Sequence, residues 1–253
     1  MCHPVDDSVT YNDHLEQQLE MPGSGRTIPT YTYGYKPQEH TPAVIVAHDI
    51  FGASPFYRDL ARRLAQAGFA AFVPDLFSRE GAISSRSMEA AMERSSRHSV
   101  PTSIADVQAI ADKLSSEGRK VGVIGFCMGG TLAFFAASRV PSVQANVVYY
   151  GFPVNAHPSK NKPDSPIDEV AQLHAPILGF FGAHDTNVGP KNVKAYEAVA
   201  QKAGKAIGFT IYSEVGHGFL TFDTEGPSVK ASQESWGRTL DFFKKELTAA
   251  PNA

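Results

Sequence analysis

Short apolar runs rich in β-branched and aromatic residues recur at 43–47, 70–73, 121–124, 145–150, 177–181 and 206–212, with helical patterns in the intervals. This alternation predicts an α/β fold: a mostly parallel central sheet with crossover helices on both faces. An earlier run at 28–35 alternates tyrosine with threonine and reads as a strand at an edge or in an antiparallel hairpin, so the sheet is expected to be mixed. Helices are predicted over 55–67, 102–116, 129–138, 190–203 and 226–247, with Gly68 and Gly204 where glycine commonly ends a helix. The 253 residues fit one such domain spanning 1–253, whose first 20 or so residues read as a loose leading segment. Two connections stand out. The stretch 155–166 is rich in Pro, Lys, Asn and Ser and reads as a surface loop. The stretch 78–100 is rich in Ser, Arg and Met, and is either a lid or a plain exposed connection.

Composition narrows the function classes. The 23 basic and 26 acidic residues are interspersed and leave a formal charge of -3, which supplies no field suited to nucleic acid or an anionic membrane. A small-molecule partner is expected, with a monomer as the default assembly. No run approaches the roughly 18 apolar residues needed to span a bilayer, and residues 1–20 lack the charged-then-apolar order of a secretory signal, so the expectation is cytoplasmic. Cys2 and Cys127 offer no disulfide framework. No metal or cofactor is expected: the nine histidines form no helix-spaced ligand pair, and the glycines around 122–130 do not match the dinucleotide spacing.

The strongest local signal is Gly125-Phe126-Cys127-Met128-Gly129-Gly130, at the junction of an apolar strand and a helical pattern. It has the form of a nucleophile elbow with sulfur in place of oxygen, its glycines allowing strand and helix backbones to approach. A helix N-terminus favours the thiolate of Cys127, and the Met128 amide is placed to bind the oxyanion of a tetrahedral intermediate. The bland alternative is a buried structural cysteine among packing glycines. Downstream, Phe181-Gly182-Ala183-His184-Asp185 ends a strand in a turn that exposes a carboxylate, and Gly216-His217-Gly218-Phe219 follows another strand. Alone, each reads as an ordinary turn or loop. Together they give the order nucleophile, acid, base: His217 takes the thiol proton, Asp185 orients the imidazole, and an acyl-enzyme follows. Phe51, Tyr150, Phe152 and Phe219 are candidates to line an apolar pocket, or simply core.

With these motifs in place, the sequence resembles the dienelactone hydrolase family of α/β-hydrolases from about Thr27 to Leu247. Further landmarks of the resemblance are His48-Asp49-Ile50-Phe51-Gly52, Pro74-Asp75-Leu76-Phe77 and Leu240-Asp241-Phe242-Phe243. The resemblance implies hydrolysis of a small ester or lactone by a Cys127–Asp185–His217 triad without a cofactor. It implies that the Ile50 amide completes the oxyanion hole, that Asp49 stands where the family has a thiol-modulating glutamate, and that Arg79 binds a substrate carboxylate. Asp49 is one methylene shorter than that glutamate, and a turn-forming aspartate is its other reading. Thr221 occupies the position where well-known members carry a second arginine, so the bidentate fork for a carboxylate is missing. A broad carboxylesterase or thioesterase would share the triad without needing Arg79, and a catalytically silent binding protein would share only the fold.

Overall fold

A computed structural model of the protein describes residues 16–248. Its eight strands are β1 (Glu16–Gly23), β2 (Arg26–Tyr33), β3 (Ala43–Ala47), β4 (Ala70–Pro74), β5 (Val121–Phe126), β6 (Val143–Tyr149), β7 (Ile177–Gly182) and β8 (Ile207–Tyr212). They form one sheet in the order β1-β2-β4-β3-β5-β6-β7-β8, antiparallel at β1/β2 and β2/β4 and parallel elsewhere. The α/β class and the mixed sheet are as expected. β3, β4, β5 and β7 are buried along their whole length, as parallel strands covered on both faces require.

The helices are α1 (Pro55–Gln66), α2 (Met88–Arg97), α3 (Val100–Ser116), α4 (Met128–Arg139), α5 (Pro190–Lys202) and α6 (Val229–Thr248), with a 3-10 turn at Pro166–Gln172. No helix among the described residues is long and apolar enough to cross a membrane.

Two departures from the sequence reading have clear causes. Residues 16–20, expected to be loose, lie in β1, which pairs with β2 through the turn at Ser24-Gly25; Gly25 supplies the positive φ of 73°. Residues 1–15, and Cys2 with them, fall outside the described residues. The segment 78–100 contains α2, capped by the Ser87 hydroxyl on the Ala90 amide, with Ala91, Arg94 and Ser95 turned inward.

The strand order sets up the site. From β3 the chain passes through α1 to β4 on one side, then returns through α2 and α3 to β5 on the other side of β3. The loops leaving the carboxyl ends of β3 and β5 therefore diverge and leave a crevice, the place where open α/β sheets bind ligands.

Candidate active site

Cys127 sits between β5 and α4 at φ 54° and ψ −115°, a conformation that L-residues rarely adopt. Its amide donates to the Tyr149 carbonyl at 3.1 Å and its carbonyl accepts from the Thr131 amide at 3.2 Å, so the turn is held from both sides. Close approach depends on two glycines. A Cβ on Gly125 would lie 2.0 Å from the Gly129 carbonyl oxygen, and one on Gly129 would lie 2.0 Å from that of Ala47. The thiol-bearing residue is 5% exposed and stands at the positive end of the α4 dipole.

Asp185 and His217 come together from two strand ends. A Cβ on Gly182 would meet the Val215 oxygen at 2.3 Å, and this approach lets the His184 amide donate to the Val215 carbonyl at 3.0 Å. The loops after β7 and β8 are thereby stitched side by side. Asp185 Oδ1 accepts from the Asn187 and Val188 amides at 2.9 and 3.0 Å, and Oδ2 lies 2.8 Å from His217 Nδ1. Burial alone would raise the Asp185 carboxyl; the His217 hydrogen bond and charge, with the two amides, bring it below its ordinary value. As a carboxylate Asp185 only accepts, so His217 donates from Nδ1 and, when neutral, keeps its lone pair on Nε2. The His217 ring packs 5.0 Å from Tyr150 and 5.8 Å from Phe152, centroid to centroid. Tyr150 adjoins the Tyr149 carbonyl that holds the Cys127 amide, so the elbow and the His217 ring both adjoin the carboxyl end of β6.

The loop after β3 forms the opposite wall. Asp49 is fully buried; its Oδ1 accepts from the Phe51 amide at 2.8 Å, closing the turn that presents Ile50. The Ile50 carbonyl accepts from Arg94 Nη2 at 3.0 Å, and the Arg94 guanidinium lies over the Phe77 ring at 4.1 Å. Arg94 thus fixes the loop from α2. In the sequence Arg94 carries no local mark, being one arginine in an arginine-containing segment.

His48 holds the same loop from behind. The Leu76 amide donates to Nε2 at 3.1 Å, so the neutral ring carries its proton on Nδ1 and donates to the Asp49 carbonyl at 2.8 Å. Burial pushes this imidazole down to about 3. A group depressed in the fold contributes stability above its unfolded pKa, and that stability is lost as pH falls toward the folded value. As pH falls from about 6.5 toward 3 the wild type is therefore expected to lose stability more steeply than a His48→Gln variant. Urea unfolding of both proteins at three pH values measures this. Equal slopes would show that His48 takes no part in acid unfolding.

The other site candidates fall in different places. Phe51 is buried in the loop after β3, and Met128 opens α4 next to Cys127. Phe219 is buried against Tyr150 at 5.7 Å. Arg79 is engaged elsewhere: its guanidinium pairs with buried Asp106 of α3, and Nη2 also donates to the Ser24 carbonyl at 2.9 Å in the β1–β2 turn. Asp106 accepts from the Ser24 amide as well, so Arg79 clamps the hairpin to α3. The structure instead brings Lys162, from the 155–166 loop, to the buried Ser95 of α2, with Nζ 3.3 Å from Oγ.

Residues 28–247 match the family model described as "Dienelactone hydrolase family". The chain belongs to the dienelactone hydrolase family. Among curated members it is 30% identical over 251 residues to "Carboxymethylenebutenolidase" of Rhodococcus opacus, covering 98% of each chain. It is 32% identical over 210 residues to "Probable 2-oxo-3-(5-oxofuran-2-ylidene)propanoate lactonase" of Bradyrhizobium sp, covering 81% of this chain and 84% of that one. Among solved structures it superposes with a TM-score of 0.83 and 27% identity on "Putative Dienelactone Hydrolase from Klebsiella pneumoniae subsp. pneumoniae MGH 78578", covering 91% of this chain and 98% of that one. The family match at 28–247 spans the elbow and both loops that carry Asp185 and His217.

Proposed function

We propose that this dienelactone hydrolase family member hydrolyses a small enol-lactone or related ester, with Cys127 as nucleophile and His217 and Asp185 as base and orienting acid. The observation that carries the proposal is the 2.8 Å His217–Asp185 bond at the same end of the sheet as the strained Cys127 turn. His217 Nε2 takes the Sγ proton, and the thiolate attacks the lactone carbonyl carbon. The resulting oxyanion accepts from the Met128 and Ile50 amides. The carbon–oxygen bond then breaks, His217 returns the proton to the departing oxygen, and a thioester remains on Cys127. Water gives a proton to His217 as its oxygen attacks the thioester; the tetrahedral intermediate expels the thiolate, which is reprotonated as the acid leaves.

Ester cleavage suits a thiolate better than amide cleavage. A thiolate is itself a good leaving group, so an amine-bearing intermediate collapses backwards unless the amine is protonated, whereas an enolate departs readily. The names of the Rhodococcus opacus and Bradyrhizobium relatives support the substrate class, since both denote unsaturated lactones that also bear a carboxyl group.

Two measurements test the proposal. Steady-state hydrolysis of an enol-lactone, an aryl acetate and an acyl thioester should rank the lactone first. A preference for the thioester would move the protein to thioesterases, and turnover of none would favour a binding role. Intact-protein mass spectrometry after mixing with the best substrate should reveal an acyl adduct on the Cys127 peptide, accumulating in Asp185→Asn as deacylation slows. An adduct on any other residue would remove Cys127 from the mechanism.

A further inference from the structure

The 155–166 loop reads as polar surface in the sequence, and residues 156–160 are indeed exposed. Lys162 departs from that pattern. The loop sets out from the carboxyl end of β6, where the Phe152 ring lies 5.8 Å from His217 and the Phe152 amide donates to Thr131 Oγ1 at 3.1 Å. It then crosses to α2. Asn161 Nδ2 donates to the Ser96 and Arg97 carbonyls at 3.2 and 3.3 Å, and the Asn161 carbonyl accepts from the Val100 amide at 2.8 Å. Asn155 Nδ2 ties the loop to itself through the Lys162 carbonyl at 2.7 Å. The loop therefore bridges the imidazole side of the crevice to the α2 side, where Arg94 holds Ile50.

Within this bridge the half-buried Lys162 ammonium donates to Ser95 Oγ at 3.3 Å, and among the described residues no carboxylate pairs with it. Ser95, accepting from Lys162, keeps its own hydroxyl hydrogen to donate. A half-buried ammonium with no carboxylate beside it is stabilised when an anion arrives. An ammonium and a hydroxyl side by side offer one donor to each oxygen of a carboxylate.

We propose that Lys162, assisted by Ser95, is the residue that receives the carboxylate of the substrate, Arg79 being committed to Asp106. The proposal rests on the reading of Cys127 as the lactone-cleaving nucleophile. Burial lowers the Lys162 ammonium below its ordinary value, and the charge of a Cys127 thiolate acts in the opposite direction. A carboxylate bound at Lys162 would thus anchor one end of a lactone whose carbonyl lies at Cys127.

Binding measured without turnover separates this proposal from the hydrolytic one. A carboxylate-bearing enol-lactone and its methyl ester are titrated calorimetrically into Cys127→Ala, alone and combined with Lys162→Met or Lys162→Arg. Loss of a charge-assisted contact should weaken the carboxylate ligand roughly 10- to 100-fold in Lys162→Met and the methyl ester by no more than about twofold, with Lys162→Arg retaining most of the affinity. Equal weakening of both ligands, no change in either, or no binding of the carboxylate ligand to Cys127→Ala overturns the assignment. Should Lys162→Met fold poorly, Lys162→Gln takes its place under the same criteria. Selective loss at Lys162 alongside a wild type that turns over no lactone would leave the subsite standing and remove only the hydrolytic reading.

Discussion

Replacing Cys127 with alanine is expected to lower kcat/KM for the best lactone or ester by roughly 10⁴- to 10⁶-fold, because residues that act as one catalytic unit fail together when the nucleophile is lost. His217→Gln should cost a comparable factor, and the double variant little more than either alone. If the two losses multiply, the residues act independently and no triad operates. The same position offers a separate reading of the backbone. Cys127 holds φ 54° with a Cβ in place, a conformation that stores on the order of 1–3 kcal/mol of strain. Alanine keeps that strain and glycine releases it. Cys127→Gly should therefore be more stable than Cys127→Ala by about 1 kcal/mol, reversing the usual order in which glycine is the less stable choice. Urea unfolding of the two inactive variants decides the point, and a less stable Cys127→Gly would mean that the elbow is unstrained.

The largest effect on folding is expected at Gly129. A Cβ there would lie 2.0 Å from the Ala47 oxygen and 2.6 Å from that of His48, both backbone atoms of β3 and the loop that follows it. No side chain can rotate away to make room, so α4 must separate from β3 and carry the elbow with it. Gly129→Ala should cost roughly 3–5 kcal/mol or more, lowering Tm by on the order of 10 °C. Whatever folded fraction remains should be nearly inactive, since Ile50 and Met128 occupy the two sides of the gap that opens. Gly237, exposed in α6 with nothing within 4 Å of an added Cβ, supplies the opposite sign. Gly237→Ala should stabilise by about 0.5–1 kcal/mol through helix propensity alone. Differential scanning calorimetry of the two variants checks both directions; a mild Gly129→Ala would show that the strand and helix can part at little cost.

Much of this molecule was legible along the chain because the determining signals are local. A buried parallel strand must be apolar throughout, which marks β3, β4, β5 and β7; an elbow needs small residues around its nucleophile, which marks Gly125 and Gly129; and an aspartate or histidine just past a strand lies at the sheet edge by construction. The β1 strand escaped because a solvated edge strand has no need to be apolar: Glu16-Gln17-Gln18-Leu19-Glu20 reads as a polar leader until its pairing with β2 is seen. The α2 helix escaped because only Ala91, Arg94 and Ser95 face inward, and two of those three are polar.

What tertiary structure alone decided is where the cations point. The resemblance implies a substrate-binding role for Arg79, and Arg94 and Lys162 carry no mark in the sequence; in the fold Arg79 clamps a hairpin through Asp106, Arg94 supports Ile50 and Lys162 reaches Ser95. Their long side chains can serve any anion or carbonyl within several ångströms, and the partner lies 27, 44 or 67 residues away in the chain. Backbone patterning therefore determined the sheet, the elbow and the order of Cys127, Asp185 and His217, while the roles of the charged side chains were set only when folding brought distant segments together.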